Sequence, residues 1–400
     1  MTWFEEAKFG MFIHWGAYSV AARGEWVFNR EMISKEEYIE KYVNNFKAEN
    51  YNPAKWMEIA KKAGIKYVVL TTKHHDGFAL WDTATTEFNA TKMGPEMDLV
   101  KEYVEAARKE GLKVGFYYSP ADWNHPDYPY AYCRDWPTEW RDEAARQRFV
   151  KYYFEQLTEL CTNYGKIDLL WYDGCIPEPL DGEMVNKKLK EIQPDMLISN
   201  RNGEPFDFKV SEQAIVPPND DIPWEACMTL NGNWGYHSGD FEYKSAKDVI
   251  MLLLTAAKDG GNLLLNVGPK SDGEIPSESV KILQEVGRWM DKNGEAIYGV
   301  ERSLLNWALS SILTVKMNKV YINLHCHLKE YWLAEFKNKI KSVYVLATNQ
   351  ELEFEQHDNG RLLIKNIPEF SQDELVFSIV CETEGKPIPI REKETFWIPG

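Results

Sequence analysis

Asp173 stands directly after the run IDLLWY (Ile167–Tyr172), where a buried strand would open onto solvent. A carboxylate held there among hydrogen-bond donors stays ionised and can attack a carbon. A helix cap or an ion-pair partner is the plainer reading of a lone acid. Chemistry at a glycosidic carbon also needs a second carboxyl, which protonates the leaving oxygen. Glu212 in DFKVSE and Glu225 in PWEACMTL are the downstream candidates, and spacing alone does not choose between them. Other polar and aromatic side chains fall at the ends of similar apolar runs. His14 and Trp15 follow FGMFI, His74 and His75 follow KYVVLTTK, Tyr117, Tyr118 and Asp122 close LKVGFYYS, and Asn200 and Arg201 close MLIS.

The adjacent histidines invite a metal reading. Neighbours in a strand face opposite sides, and the first run supplies only His14, without a His-x-His pair. Hydrogen bonding to hydroxyls is therefore the expectation, with no metal. His325 and His327 flank Cys326 with no carboxylate beside them, as on a solvated sheet face. The stretch GGNLLLNVGPKSDG, from Gly260, has the glycines of a phosphate loop, but Lys270–Ser271 follows Gly-Pro and opens no helix. A strand and a tight turn fit it better.

These residues need a frame. KYVVLTT, LKVGFYYS, IDLLWYD, MLISNR and NLLLNVGP are continuous apolar runs, the pattern of strands buried on both faces of a parallel sheet. With FGMFIHWG and WEACMTL they give about seven or eight strands. Helical patterns separate them: PAKWMEIAKKAG, with Pro53 in its first turn and Gly64 at its end, MDLVKEYVEAARKEG, a long one from Thr138, and two more from Ser245 and Glu278. That alternation predicts a somewhat distorted (β/α)8-like (TIM) barrel over residues 1–300, whose active residues sit at the C-terminal ends of the strands. The Pro-, Asn- and Asp-rich stretch 174–240 is expected to be its irregular part. From residue 301 to 400 the pattern changes to alternating, β-branched strands with tight turns such as Asp358–Gly360, predicting an antiparallel β-sandwich.

Four hundred residues suit two domains. A net charge of −16 disfavours nucleic acid as a partner, and mean hydropathy is −0.47 with no apolar run of membrane-spanning length. The six cysteines (Cys133, Cys161, Cys175, Cys227, Cys326 and Cys381) form no C-x-x-C pair, which suggests reduced, packed thiols. MTWFEEAKFG lacks the basic and apolar regions of a secretory signal, so a cytoplasmic location is expected.

Taken in order, KFGMFIHWGAYSV, GEWVFNREM, YVVLTTKHHDGFALWD, GFYYSPADW, LLWYDG, SNRNGE, WEACMTLNGNWGY and GGNLLLNVGPKSDGEIP, then NGEAIYG, strongly resemble the α-L-fucosidases of glycoside hydrolase family 29. The resemblance covers about residues 3–300. It implies a barrel that removes terminal α-linked L-fucose from fucosylated oligosaccharides, with net retention through a covalent fucosyl-enzyme and without cofactor or metal. It places Asp173 at the family's nucleophile. His14, Glu25, Trp26, His74, His75, Tyr118, Trp171 and Arg201 match positions that line the fucose pocket, and Trp234 matches an aromatic set against the sugar, near its C6 methyl. Glu212 resembles the acid/base of well-matched members and is preferred. Glu225 is similar to a glutamate also proposed for that role. A fucose-binding protein without turnover is the alternative. The loop after the nucleophile, GCIPEPLDGE, gives no indication of the aglycone.

Overall fold

The computed structural model describes residues 1–130, 139–174, 179–303, 305, 310–369 and 375–390. Its apolar runs become one parallel sheet of eight strands: β1 (Phe9–Ile13), β2 (Tyr67–Lys73), β3 (Lys113–Tyr118), β4 (Leu169–Tyr172), β5 (Leu197–Ile198), β6 (Lys209–Glu212), β7 (Trp224–Thr229) and β8 (Asn262–Val267). Their spatial order is β5-β4-β3-β2-β1-β8-β7-β6. The two end strands meet through a parallel bridge between Ser199 and Phe208, with Asp207 N–H on the Ile198 carbonyl at 2.8 Å and Asn200 N–H on the Phe208 carbonyl at 3.0 Å. The result is a TIM-barrel-like fold. Every residue of β1, β2, β4, β7 and β8 is buried, which is why those runs are largely apolar and lack a polar alternate face.

Two strands depart from expectation. β6 lies inside the stretch expected to be irregular. Its sequence KVSE is polar because it is only partly buried. The run MLISNR shortens to the two residues of β5, and a 3-10 turn at Asn200–Asn202 follows.

The helices start where local chemistry allows. Asn52 caps Pro53–Lys62 by accepting the Lys55 N–H, with Pro53 at a position that needs no donor, and Gly64 takes the left-handed turn beyond its end. Asp98 and Asp142 cap Leu99–Lys109 and Glu143–Asn163 in the same way, and Ser245 forms a capping box with Asp248 ahead of Ala246–Lys258.

The chain forms two compact units. One comprises Phe9–Tyr243 and Leu264–Leu283; the other comprises Met1–Lys8, Lys244–Leu263 and Gln284–Gly400. The second contains β9 (Ser311–Lys316), β10 (Lys319–Leu324), β11 (Tyr331–Leu333), β12 (Ile340–Val345), β13 (Phe354–Gln356), β14 (Leu362–Ile364) and β15 (Phe377–Thr383). They make two antiparallel sheets, β12-β15-β10-β9 and β11-β14-β13. Val315, Ile322, Val343 and Ile379 of the first share a core with Leu333, Leu362 and Ile364 of the second. The Asp358–Gly360 turn joins β13 to β14 as a hairpin. His325 and His327 lie just beyond β10 rather than on it. Cys161, Cys227, Cys326 and Cys381 carry free thiols; Cys133 and Cys175 fall outside the described residues, as does Cys175–Glu178 of the loop after Asp173. No described helix is long and apolar enough to cross a membrane.

Candidate active site

A cavity of about 300 Å³ opens at the C-terminal ends of the barrel strands. It is lined by His14, Glu25, Trp26, His74, His75, Trp171, Asp173, Arg201, Glu212 and Trp234, all expected in the pocket, by Tyr117, which the sequence placed only at a strand end, and by Phe12 and Cys227, which it did not single out. That volume sits at the small end of ligand sites and suits one sugar unit.

Asp173 follows β4, and both its oxygens are engaged. Arg201 Nη1 contacts Oδ1, and the Tyr117 hydroxyl donates to Oδ2 at 2.9 Å. His75 Nε2 lies 3.6 Å from Oδ2. Burial alone would raise this carboxyl, but His75, Arg201, the Tyr117 hydroxyl and the Gly174 N–H outweigh it and hold the group below the ordinary carboxylate range. Asp173 is therefore an anion poised in the cavity. The other arm of the same guanidinium, Arg201 Nη2, pairs with Glu212 Oε2 at the end of β6. One planar fork thus binds both carboxylates of the site. Its own face rests on Trp171, with the guanidinium carbon 4.7 Å from the ring centroid.

The remaining wall is aromatic and imidazole. His14 Nδ1 lies 2.6 Å from Asn266 Oδ1, and His75 Nδ1 lies 2.6 Å from Ser119 Oγ. Burial pushes His14 down to about 3 and His74 well below the usual histidine range, so both are neutral. The His74 ring lies parallel to Tyr117, and its buried Nδ1 has no hydrogen-bond partner in the described structure. Glu25 accepts the Gly235 N–H at 2.7 Å, and burial raises its carboxyl. Behind the histidine pair, the fully buried Lys73 meets Asp122 at 3.2 Å, and Asp122 also accepts the Tyr152 hydroxyl and the backbone N–H groups of Asn124 and His125. The Trp123 N–H on the His75 carbonyl, at 2.8 Å, ties that loop to the histidine turn.

Two expected residues lie elsewhere. Tyr118 does not line the cavity. Its hydroxyl donates to Gln156 at 2.8 Å, and Lys73 lies over its ring. Successive strand residues point to opposite faces, so the pocket tyrosine is the preceding one, Tyr117, paired in register with Trp171 on β4. Glu225 also lies off the cavity wall. It is wholly buried, accepting the Tyr67 hydroxyl at 2.6 Å and the Trp171 Nε1–H at 2.8 Å. Burial pushes it up to about 7, against the lowering by those two donors. Tyr67 reaches it because Gly10, its register partner on β1, has no side chain; a methyl there would run into the Tyr67 ring.

The two lining residues not singled out from the sequence carry a signal that alternation could have supplied. Phe12 is two residues before His14 on β1, and Cys227 is two after Glu225 and pairs with Glu212. His74, His75 and Asp173 come close enough to hold a cation. The set is poorly suited to one: Arg201 and the Tyr117 hydroxyl already occupy the carboxylate, and a fixed positive charge stands against it.

Sequence and structure comparisons point one way. The family model described as alpha-L-fucosidase matches residues 1–295. Tissue alpha-L-fucosidase of Bos taurus is 30% identical over 412 residues, covering 92% of this chain and 84% of its own length. Alpha-L-fucosidase isoenzyme 1 from Paenibacillus thiaminolyticus has a closely similar structure, with a TM-score of 0.88, 40% identity, and coverage of 96% of this chain and 98% of that one. An alpha-L-fucosidase from Bacteroides thetaiotaomicron, solved as a trapped covalent intermediate with 2-fluoro-fucosyl fluoride, gives a TM-score of 0.85 at 25% identity over 95% of each chain.

Proposed function

The chain belongs to the α-L-fucosidase family and hydrolyses α-L-fucosides; from that premise we propose that it works with net retention, Asp173 serving as nucleophile and Glu212 as acid/base. The Asp173 carboxylate attacks the anomeric carbon as the bond to the leaving oxygen breaks, and the Glu212 carboxyl gives its proton to that oxygen. Water then delivers a proton to Glu212 and its oxygen to the same carbon, and Asp173 departs. The observation that carries this reading is the shared Arg201 fork, which sets both carboxylates beside one cavity from the ends of β4 and β6. Retention needs carboxyls about 5–5.5 Å apart. The covalent intermediate trapped on the Bacteroides thetaiotaomicron relative supports the same route.

Glu225 takes a different part in this scheme. Its oxygens are occupied by Tyr67 and Trp171, so it anchors the indole on which Arg201 rests. His14, His74, His75 and Glu25 grip the sugar hydroxyls, while Trp234 and Phe12 offer an apolar wall to the C6 methyl. The test is a proton NMR time course on an aryl α-L-fucoside. Retention releases α-L-fucose first, with the β anomer growing only by mutarotation; β-L-fucose as first product would overturn the scheme.

A further inference from the structure

We propose that Gly235 and Gly268 are positioning residues: they form a glycine-lined slot that seats the segment carrying Trp234 and so fixes Trp234 and Glu25 on the wall of the sugar cavity. The inference rests on the fucosidase reading for the identity of the sugar alone. The assignment of nucleophile and acid/base plays no part in it.

Three segments meet beside the cavity. Residues 22–25 run antiparallel to 234–238, bridged at Arg23 and His237, with the Gly24 N–H on the Tyr236 carbonyl at 3.1 Å and the Ser238 N–H on the Ala22 carbonyl at 2.9 Å. The Gly235 N–H adds its bond to Glu25 Oε2. The third segment is the end of β8, where Asn266 Nδ2 donates to the Trp234 carbonyl at 2.7 Å and Gly268 follows directly.

Missing side chains allow this approach. A methyl on Gly268 would stand 2.8 Å from both the Trp234 carbonyl oxygen and the Tyr236 nitrogen, and 2.9 Å from the Gly235 carbonyl carbon. All three are backbone atoms, which cannot swing aside as the tip of a side chain does. A methyl on Gly235 would meet the Glu25 nitrogen and a Tyr18 ring carbon at 3.0 Å, and Glu25 Cβ at 3.1 Å. Neither glycine takes a left-handed φ, so space and not backbone conformation demands it. The glycine-bearing stretch from Gly260, which opens no phosphate-binding helix, finds a use here.

The chemical consequence lies in the wall. Trp234 and Glu25 both line the cavity, and the Trp234 ring lies 5.1 Å from that of His14. A displaced 234–236 backbone carries the indole with it, together with the N–H that holds Glu25. Misplacing such groups by about 1 Å is enough to cost about 100-fold in rate.

Double-mutant cycles separate positioning from mere stability. Titration calorimetry gives the Kd for L-fucose, and 4-nitrophenyl α-L-fucoside gives kcat and KM. Gly268→Ala should weaken L-fucose binding and lower kcat/KM by about 10- to 100-fold. In a Trp234→Ala background the same change should add no more than about two-fold, because the group it displaces is gone. Losses that multiply in the double variant would overturn the proposal. So would a Gly268→Ala enzyme whose thermal midpoint falls while its Kd and kcat/KM stay at wild-type values. Should Gly268→Ala not fold, Gly235→Ala makes the milder clash and gives the same cycle against Glu25→Ala, with the same two outcomes deciding. A wild-type enzyme that neither bound L-fucose nor cleaved the aryl fucoside would strike down the identity of the sugar, and the inference with it.

Discussion

At the residue scale the two carboxylates are distinguished by what can replace them. Asp173→Gly should fold and bind fucose but lose turnover by about 10³-fold or more. Azide, filling the vacated space, should attack the face opposite the leaving group and give β-L-fucosyl azide. Glu212→Ala should lose about 10²–10⁴-fold on substrates whose leaving oxygen needs a proton and much less on 4-nitrophenyl fucoside, and azide should give the α-fucosyl product. Chromatographic separation of the two azides checks both, and α-fucosyl azide from Asp173→Gly would remove it as nucleophile. The place of Asp173 in the cavity was legible because a buried run that ends in an acid delivers it to the barrel mouth. Tyr117 was not: in a YY pair only the strand's inward face tells which ring lines the cavity, and that face is set by register with Trp171. The burial of Glu225 was equally hidden, since Trp-Glu-Ala reads the same whether the acid meets solvent or an indole.

At the element scale, sequence showed the strands that are buried on both sides and hid those that are not. β2 and β8 are built round the apolar runs YVVL and LLL and announce themselves; β6 carries Glu212 on a polar stretch that reads as loop. Helix limits were accessible because Asn52, Pro53 and Ser245 have specific local chemistry. The β1–β2 pairing supports the site from below, through Gly10, Tyr67, Glu225 and Trp171 in sequence of contact. Gly10→Ala should therefore displace the Tyr67 ring, costing about 1–3 kcal/mol of stability as an overpacking change. It should also lower kcat/KM, although residue 10 touches no ligand. Urea denaturation and steady-state rates measure the two effects; a variant with wild-type values for both would show that the floor tolerates rearrangement.

For the whole molecule, the buried acids shape the pH dependence of stability. Glu225 keeps its proton up to about 7 in the folded state against 4.5 in the unfolded chain. Folding therefore takes up a proton between those values, so this group favours the folded state fully below 4.5, and the benefit fades as pH rises to 7. The difference of about 2.5 pKa units sets an upper bound near 3 kcal/mol. Glu225→Gln can keep its carbonyl on the Trp171 N–H and turn its amide to the Tyr67 oxygen. Its thermal midpoint should fall less than wild type's between pH 5 and 7, and parallel curves would assign the slope to other groups such as Asp76, which burial likewise pushes up to about 7.

The seam where Ser199 meets Phe208 has a bearing on how the enzyme fails. A ring of strands opens most readily where its stitching is sparse, and here two residues of β5 meet the four of β6 through one bridge and the few backbone hydrogen bonds beside it. Arg201 stands on one side of that joint and Glu212 on the other. Mild heating should open the barrel at this joint and draw Glu212 away from Asp173 while the rest of the ring persists. Catalysis would die as a local fraying event, visible as early deuterium uptake at 197–212, some degrees before the molecule melts.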